Sequence, residues 1–437
     1  MILIYGKWRV WNGVAKLCDF LSLSYTMAAD GEEIDYSRYE YIIPSPGIPV
    51  THEIYGNSEL RIKVISELDF AYYFLPKGFT IASITGTDGK STTAWILYEL
   101  FRKEYGSAHV YLSGNFDMPF SETVCDILAS EVKRWYIVLE ISSFMSYGIG
   151  MNPMFSHEKW VRKECFHTDY SIFTNFERDH QNWHTDMQEY LDAKMNLIHH
   201  TTKTIVANTQ IVTRSKELNL QCTFPENTRF IGKEWNDRTD GENIIISGRR
   251  KYKLSETHFS GFHNAMNILA CTVVTNSLRI CSKRTKWYLA SIQWLPHRIE
   301  LVTQWNGITF IDDSKSTSAQ SLEAALSSFE WKKILLIAGW SDKGDNFEHL
   351  TSLLFEKVKA MACIGATKWQ FVKIATKIAL PHVATDSLEE AVQYLLLQAS
   401  EGDVVLLSPG CASFGLFKDY LDRANQFRSV VQLVTHS

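Results

Sequence analysis

Short runs of aliphatic and β-branched residues alternate along the chain with longer stretches in which apolar positions recur at helical spacing. The runs occupy residues 2–5, 41–43, 81–85, 136–140, 172–174, 205–207, 308–311, 334–338 and 404–407. Residues 334–337 and 404–407 are apolar at every position, the pattern of strands buried on both faces in a parallel sheet covered by helices. The alternation predicts an α/β protein. Pro76-Lys-Gly78 is a turn signal ahead of the run at Ile81 and closes a small first unit. After Leu295-Pro-His-Arg298 the strand and helix alternation starts again. The expected domains are therefore 1–77, 78–295 and 296–437. Within the second, residues 208–260 are polar and irregular, with short strand-like pieces such as Ile244-Ile-Ile246, and predict an antiparallel appendage or loops.

A chain of 437 residues is too long for one core. With 45% hydrophobic and 21% charged residues it is far from the composition of disorder. Lys and Arg total 44 against 49 Asp and Glu, so no basic excess is available for a phosphate backbone, and nucleic acid is not an expected partner. No run approaches the roughly 18 apolar residues of a membrane helix. The apolar start at Met1 is too short for a signal-peptide core, so a cytoplasmic location without membrane attachment is expected, as is a monomer. The cysteines, at 18, 125, 165, 222, 271, 281, 363 and 411, form no Cys-x-x-Cys pair, which suggests buried thiols rather than a zinc site or a disulfide framework.

The strongest local signal is Ile84-Thr-Gly86-Thr87-Asp88-Gly89-Lys90-Ser91-Thr92, placed between a predicted strand and a predicted helix. Glycines let backbone N–H groups curl round an anion, the helix N-terminus favours negative charge, Lys90 meets phosphates and a hydroxyl reaches a metal. Only two residues separate Gly86 from Gly89-Lys90 where the usual phosphate loop has four, so a plain capped turn is the alternative. Glu140, at the end of the next buried run in Val138-Leu-Glu140-Ile-Ser142-Ser143, stands where Mg²⁺ beside a nucleotide is held, although a helix-capping Glu reads the same way. Asn175-Phe-Glu-Arg-Asp179-His180-Gln-Asn-Trp-His184 precedes the helix with Lys194. Its two His and one Asp invite a transition-metal reading, and a magnesium or phosphate role fits better if the loop faces Lys90. Asn264 and Asn267 share one helix face, suited to a purine or to phosphate oxygens. Asp312-Asp313-Ser314-Lys315-Ser316-Thr317 again follows a strand, and both of these last motifs also read as helix caps.

In chain order Thr85 to Ser91, Glu140-Ile-Ser-Ser143, Asp179-His180 with Lys194, His263-Asn264-x-x-Asn267, Pro296-His-Arg298 and Asp313-Ser-Lys315 resemble the motifs of the ATP-dependent Mur ligases of peptidoglycan precursor synthesis. The resemblance runs from about residue 80 to the C-terminus. Leu407-Ser-Pro-Gly-Cys411-Ala-Ser413-Phe414, with Tyr420 and Arg423, is similar to the glutamate-adding branch, and the Asp-Asn-Pro-Arg clamp of the diamino-acid-adding branch is absent. The resemblance implies a three-domain fold: a small Rossmann-like N-terminal domain for the UDP-sugar, a central P-loop-type ATPase domain with a parallel sheet, and a C-terminal Rossmann-like domain for the amino acid. It implies ATP-dependent addition of D-glutamate to UDP-N-acetylmuramoyl-L-alanine through an acyl phosphate, with ATP and two Mg²⁺ ions.

Residue by residue, the resemblance puts Gly86, Thr87, Asp88, Gly89, Lys90 and Thr92 on the phosphates. Ser91 and Glu140 hold the first Mg²⁺, and His180 and a carbamylated Lys194 the second. Asn264, Asn267, Arg298 and Asp313 contact the nucleotide. Ser45, Pro46, Gly47, Asn115 and Ser142 meet the UDP-muramoyl substrate, and Lys315, Thr317, Lys343, Ser413, Phe414 and Tyr420 seat the glutamate. The segment Tyr147 to Asp169 is longer and more polar than the family pattern, and Gly339-Trp-Ser-Asp-Lys343 departs from it, which keeps L-glutamate or another acceptor open. A folylpolyglutamate synthase, against which Cys411 to Phe414 weighs, and a silent nucleotide-binding scaffold, against which Lys90, Glu140, His180 and Lys194 weigh, are the other readings.

Overall fold

The apolar runs pair into three sheets, and parallel pairing dominates each. The computed structural model describes residues 1–6, 9–29, 31–116, 118–131, 134–152, 161–180, 183–293, 295, 297–317, 319–329, 334–341, 347–411 and 417–436. They form two compact units, Met1–Ile292 and Gln293–Ser437. Among the described residues no helix is long and apolar enough to cross a membrane.

The first unit opens with β1 (Ile2–Tyr5), β2 (Tyr25–Ala28) and β3 (Tyr41–Pro44), a parallel sheet in the order β2-β1-β3. Because side chains alternate across a strand, this sheet serves two cores. Leu3, Tyr5 and Ile42 face a local cluster with Ile48, Ile54 and Val64. Ile2, Ile4 and Ile43 join a larger core with Phe120, Val124, Trp135 and Ile137 from beyond residue 77. The helix Glu67–Phe74 is buried at all eight positions, so it needs neighbours on every side. It packs on the helix Phe120–Leu128, as does the helix Arg9–Leu21. The turn at 76–78 thus passes through shared packing rather than between two compact units.

The second sheet has nine strands: β4 (Phe79–Thr85), β5 (Val110–Gly114), β6 (Trp135–Glu140), β7 (Thr168–Phe173), β8 (Thr201–Asn208), β9 (Thr228–Gly232), β10 (Asp237–Thr239), β11 (Asn243–Ile246) and β12 (Arg249–Lys253). Their order is β12-β11-β10-β9-β8-β7-β4-β6-β5. From β4 the chain runs to the edge at β5, returns through β6 and crosses to β7, so the carboxyl ends of β4, β6 and β7 flank a topological switch point, where such sheets bind ligands. Ile84 lies opposite Glu140 and Thr85 opposite Phe173. The segment 208–260 differs from the expected appendage. β9 and β10 extend the sheet in parallel, and β11 and β12 complete it antiparallel. The helix Phe262–Ser277 packs on β9, β10 and β11, and burial alternates along β11, with Ile244 and Ile246 buried; apart from the run Ile244-Ile-Ile246 these strands are largely polar.

The second unit contains β13 (Glu300–Trp305), β14 (Ile308–Asp312), β15 (Ile334–Gly339), β16 (Val358–Ile364), β17 (His382–Thr385) and β18 (Val404–Leu407), in the order β13-β14-β18-β15-β16-β17. Only β13 with β14 is antiparallel. Asn306 and Gly307, both at positive φ, make the two-residue turn between them. Every residue of β15 is buried, as its apolar run requires.

The shared core of the first unit sets a measurable expectation. Leu17 is fully buried in it. Leu17→Ala should cost about 2–5 kcal/mol in urea unfolding; a loss below ~1 kcal/mol would mean that the first 77 residues do not share the packing of the rest of the unit.

Candidate active site

The loop after β4 is held open by its contacts with the loop after β7. Gly86 has φ +147°, and a Cβ there would lie 1.9 Å from Thr174 Oγ1. Gly89 has φ +75°, and its Cβ would lie 3.0 Å from Asn267 Oδ1. Asn175 Oδ1 accepts from Thr87 N (3.1 Å) and Asp88 N (2.8 Å), and Thr174 Oγ1 donates to Asp88 O (2.6 Å). Thr87 Oγ1 lies 3.1 Å from Tyr190 OH. No side chain caps the 16-residue helix Lys90–Tyr105, so its N-terminal dipole and N–H groups face the loop, a place for an anion. Lys90 Nζ folds back to donate to Gly86 O (3.0 Å) and Thr87 O (2.6 Å), which sets its charge over the same loop.

Glu140 ends β6 beside this loop and is buried. Its Oε1 accepts from Asn115 Nδ2 (2.9 Å), and its Oε2 is buried with no partner. A carboxylate oxygen left so in a dry site is costly, and a cation removes the cost. Gly114, at φ +86°, is required here because a Cβ would come within 2.3 Å of Glu140 O. Asn115 therefore braces Glu140. Ser142, also expected at the muramoyl substrate, caps the short helix Ser143–Tyr147 by accepting from Met145 N (3.2 Å).

His180 has φ 54°. Its Nε2 lies 3.3 Å from Asp179 Oδ2, and its ring centre is 4.6 Å from that of Phe144. Burial pulls its pKa to about 4, against the pull of Asp179 and with help from Lys194 and Lys90. At neutral pH the imidazole is a neutral lone-pair donor. Lys194, on the helix Met187–His199, is 1% exposed and donates to Gly86 O at 2.7 Å. Burial, and then Lys90, hold it well below the ordinary lysine range. Oxygen donors from Glu140 and Ser91 suit Mg²⁺, and the orphaned Glu140 oxygen is the observation that fits it. The transition-metal reading of the 175–184 loop fares differently. His184 turns inward to Ser143 Oγ (3.0 Å) and packs against Phe144, Trp183 and Tyr190. Among the described residues it belongs to no three-ligand group.

Asn264 and Asn267 lie in the first two turns of the helix Phe262–Ser277, 3.4 Å apart through Asn267 Nδ2 and Asn264 Oδ1, with Asn267 against Gly89. Ser45 to Gly47 follow β3, and Ser45 Oγ is buried without a partner, 2.8 Å from where a Gly6 Cβ would stand. Thr174 and Tyr190, which hold the loop, carry no sequence signal of that role.

In the second unit Asp313 is buried at the end of β14. Its Oδ2 accepts from Ser408 Oγ (2.7 Å) and its Oδ1 from Ile299 N (3.2 Å). Burial pushes it up to about 7 against the opposing charge of Arg298. Arg298 Nε is buried without a partner, a donor left for a ligand. Lys315 Nζ stands 5.4 Å from the centre of the Tyr420 ring, and Thr317 is half-buried nearby in sequence. Arg423, fully buried, donates to Cys411 O (3.1 Å) and Ser314 O (2.7 Å) and joins the loops after β18 and β14. Lys343, Ser413 and Phe414 lie outside the described residues.

Comparison with known proteins places these features in a family. Residues 84–275 match the Mur ligase middle domain, and residues 297–411 match the Mur ligase glutamate ligase domain. The UDP-N-acetylmuramoylalanine--D-glutamate ligase of Natranaerobius thermophilus is 31% identical over 90% of this chain and 84% of its own length. The ligase of the same name from Hydrogenobaculum sp. is 31% identical over 98% of both. Among solved structures, the UDP-N-acetylmuramate-alanine ligase of Thermotoga maritima superposes with a TM-score of 0.59 at 15% identity over 99% of each chain, a likeness of fold.

Burial of the loop imidazoles predicts a pH dependence. Burial, and then His180, lower His184 to about 3. The unfolded chain takes up a proton near pH 6.5 that the folded chain refuses until about pH 3. Stability is therefore lost as pH falls through that window, by ~1.4 kcal/mol per pH unit for this one proton. Urea unfolding between pH 7 and 4.5 should show the fall, and His184→Gln should flatten its slope by one proton; an unchanged slope contradicts the assignment.

Proposed function

The chain belongs to the Mur ligase family, and we propose from that premise that it performs the glutamate-adding step: ATP-dependent ligation of D-glutamate to UDP-N-acetylmuramoyl-L-alanine in peptidoglycan precursor synthesis. The observation that carries the reading is the meeting of Lys90, Glu140, His180 and Lys194 at the switch point of β4, β6 and β7, in a chain that matches D-glutamate ligases over nearly its whole length.

A carboxylate does not acylate an amine in water, because oxide is a poor leaving group and the negative charge repels a nucleophile. The alanyl carboxylate oxygen attacks the γ-phosphorus of ATP, ADP leaves, and an acyl phosphate results. Lys90 balances charge on the transferring oxygens. The amine of D-glutamate then attacks the acyl carbon, the tetrahedral intermediate expels phosphate, and an amide remains. Bound Mg²⁺, held by Ser91, Glu140, His180 and a carbamylated Lys194, supplies positive charge that offsets repulsion between substrate carboxylate and nucleotide. Burial favours the neutral amine of Lys194, the form that adds to carbon dioxide, and the carbamate oxygen replaces an ammonium that would repel a cation. Asn115 occupies one oxygen of Glu140 and so directs the other.

Asn264, Asn267, Arg298 and Asp313 hold the adenine nucleotide in this reading, and Ser45, Pro46 and Gly47 the uridine sugar. Lys315, Thr317 and Tyr420, with Lys343, Ser413 and Phe414, seat the glutamate. The reaction takes place in the cytoplasm, where ATP and the nucleotide sugar are found and where cysteine thiols stay reduced.

Phosphate release from Mg-ATP and UDP-N-acetylmuramoyl-L-alanine should require D-glutamate. Release with L-glutamate alone overturns the acceptor, and release with neither overturns the ligase reading. Glu140→Gln should lower kcat on the order of 100-fold with little change in the KM for D-glutamate. Protein equilibrated with ¹³C-bicarbonate should show one carbamate carbon that Lys194→Ala removes; a wild-type spectrum without it rejects the carbamylated lysine.

A further inference from the structure

Away from the Lys90 loop, three metal-ligating side chains meet around the start of β7. Cys165, His167 and His200 bring one ligand atom each within 4.8 Å of one another, and all three are half-buried. His200 Nδ1 lies 2.7 Å from Asn196 O, and His167 Nδ1 lies 2.7 Å from Cys165 O. A carbonyl only accepts, so in both rings the proton is on Nδ1 and the lone pair is on Nε2. Histidines that ligate a metal are held in this way, one ring N–H on a carbonyl and the other nitrogen toward the ion. A Cβ at Gly150 would stand 3.4 Å from His200 Nε2 and 3.6 Å from Cys165 Sγ, so both atoms border the space that this glycine, at φ +71°, leaves open. The buried Asp69 accepts from Phe166 N (2.7 Å) and Gly150 N (2.9 Å), which locks the two backbone stretches that frame that space.

We propose that Cys165, His167 and His200 bind one Zn²⁺, with water as the fourth ligand of a tetrahedral site. A thiolate and two imidazoles select zinc, whereas the oxygen donors beside Lys90 suit Mg²⁺. Ligation is redox-neutral: the Cys165 thiol gives its proton to solvent and the sulfur lone pair forms the Zn–S bond. Ligand atoms round tetrahedral zinc stand about 3.3–3.7 Å apart, so these three draw together by about 1 Å through side-chain rotation. His200 directly follows the helix that carries Lys194, about 9 Å along its axis. The ion therefore clamps the foot of the Lys194 helix to the segment that leads into β7. The third ligand comes from another element, which is why cysteine spacing alone points to no zinc site.

The test uses the full chain, stripped with EDTA and returned to millimolar Mg²⁺ so that the oxygen site is supplied. Titration with Zn²⁺ should saturate at one equivalent. Co²⁺ should give the visible bands of tetrahedral cobalt and a near-ultraviolet thiolate-to-cobalt band, which no ligand proposed at the Lys90 loop can produce. Cys165→Ser should remove that band, and His167→Gln and His200→Gln should each weaken Zn²⁺ binding by about tenfold or more, with thermal melting used to check that each variant is folded. The proposal is overturned if the wild type shows no thiolate band, if Cys165→Ser keeps it, or if folded histidine variants bind Zn²⁺ as the wild type does. Should a variant fail to fold, the wild-type cobalt spectrum and stoichiometry decide.

Discussion

Gly86 passes so close to Thr174 that one added carbon would meet its hydroxyl, and this contact between the chain after β4 and the chain after β7 sets the geometry of the Lys90 loop. With the two backbones that near, Asn175 Oδ1 can accept from two successive loop amides, and Gly86 O becomes the shared acceptor of Lys90 and Lys194. Two lysines on different helices converge on one carbonyl because the parallel order of the sheet places β4 between β6 and β7.

Burial then gives these groups their chemical character. His180 is pulled toward its neutral form, Lys194 well below its ordinary range, and Glu140 keeps one oxygen without a donor. In a folded domain such groups are destabilising unless a ligand completes them, so their concentration at the carboxyl ends of β4, β6 and β7 marks a site organised before its ligands arrive. The neighbouring His184 shows the contrast. It is more deeply buried than His180, with its Nε2 on a serine hydroxyl and three aromatic rings around it, and it packs the loop.

The second unit uses arginines where the first uses glycines and asparagines. Arg423 joins the backbone at Cys411 to that at Ser314, and Arg428 pairs with both Asp312 and Glu300. Asp312 also accepts from His297 in one tautomer, at 2.8 Å, beside Arg298. The last helix thus holds the loops that carry Asp313, Arg298 and Lys315, each guanidinium making several directed contacts at once.

By itself, the sequence determined the α/β class, the principal buried strands and the loop at Gly86 to Thr92, because continuous apolar runs and glycines at strand ends are local consequences of burial and backbone geometry. It also marked Glu140, His180, Lys194, Asn267 and Asp313 as an ordered set. It marked Ile244-Ile-Ile246 as strand-like but left β9, β10 and β12 hidden in a polar segment, and it gave no hint that the first sheet shares a core with Phe120 and Trp135. Asn115 as the brace of Glu140, His184 as packing, Tyr190 and Thr174 as loop supports, and the meeting of Cys165 and His167 with His200 were decided only in three dimensions. Each depends on which strand lies beside which, and strand order in a parallel sheet is set by long-range packing that no local spacing encodes.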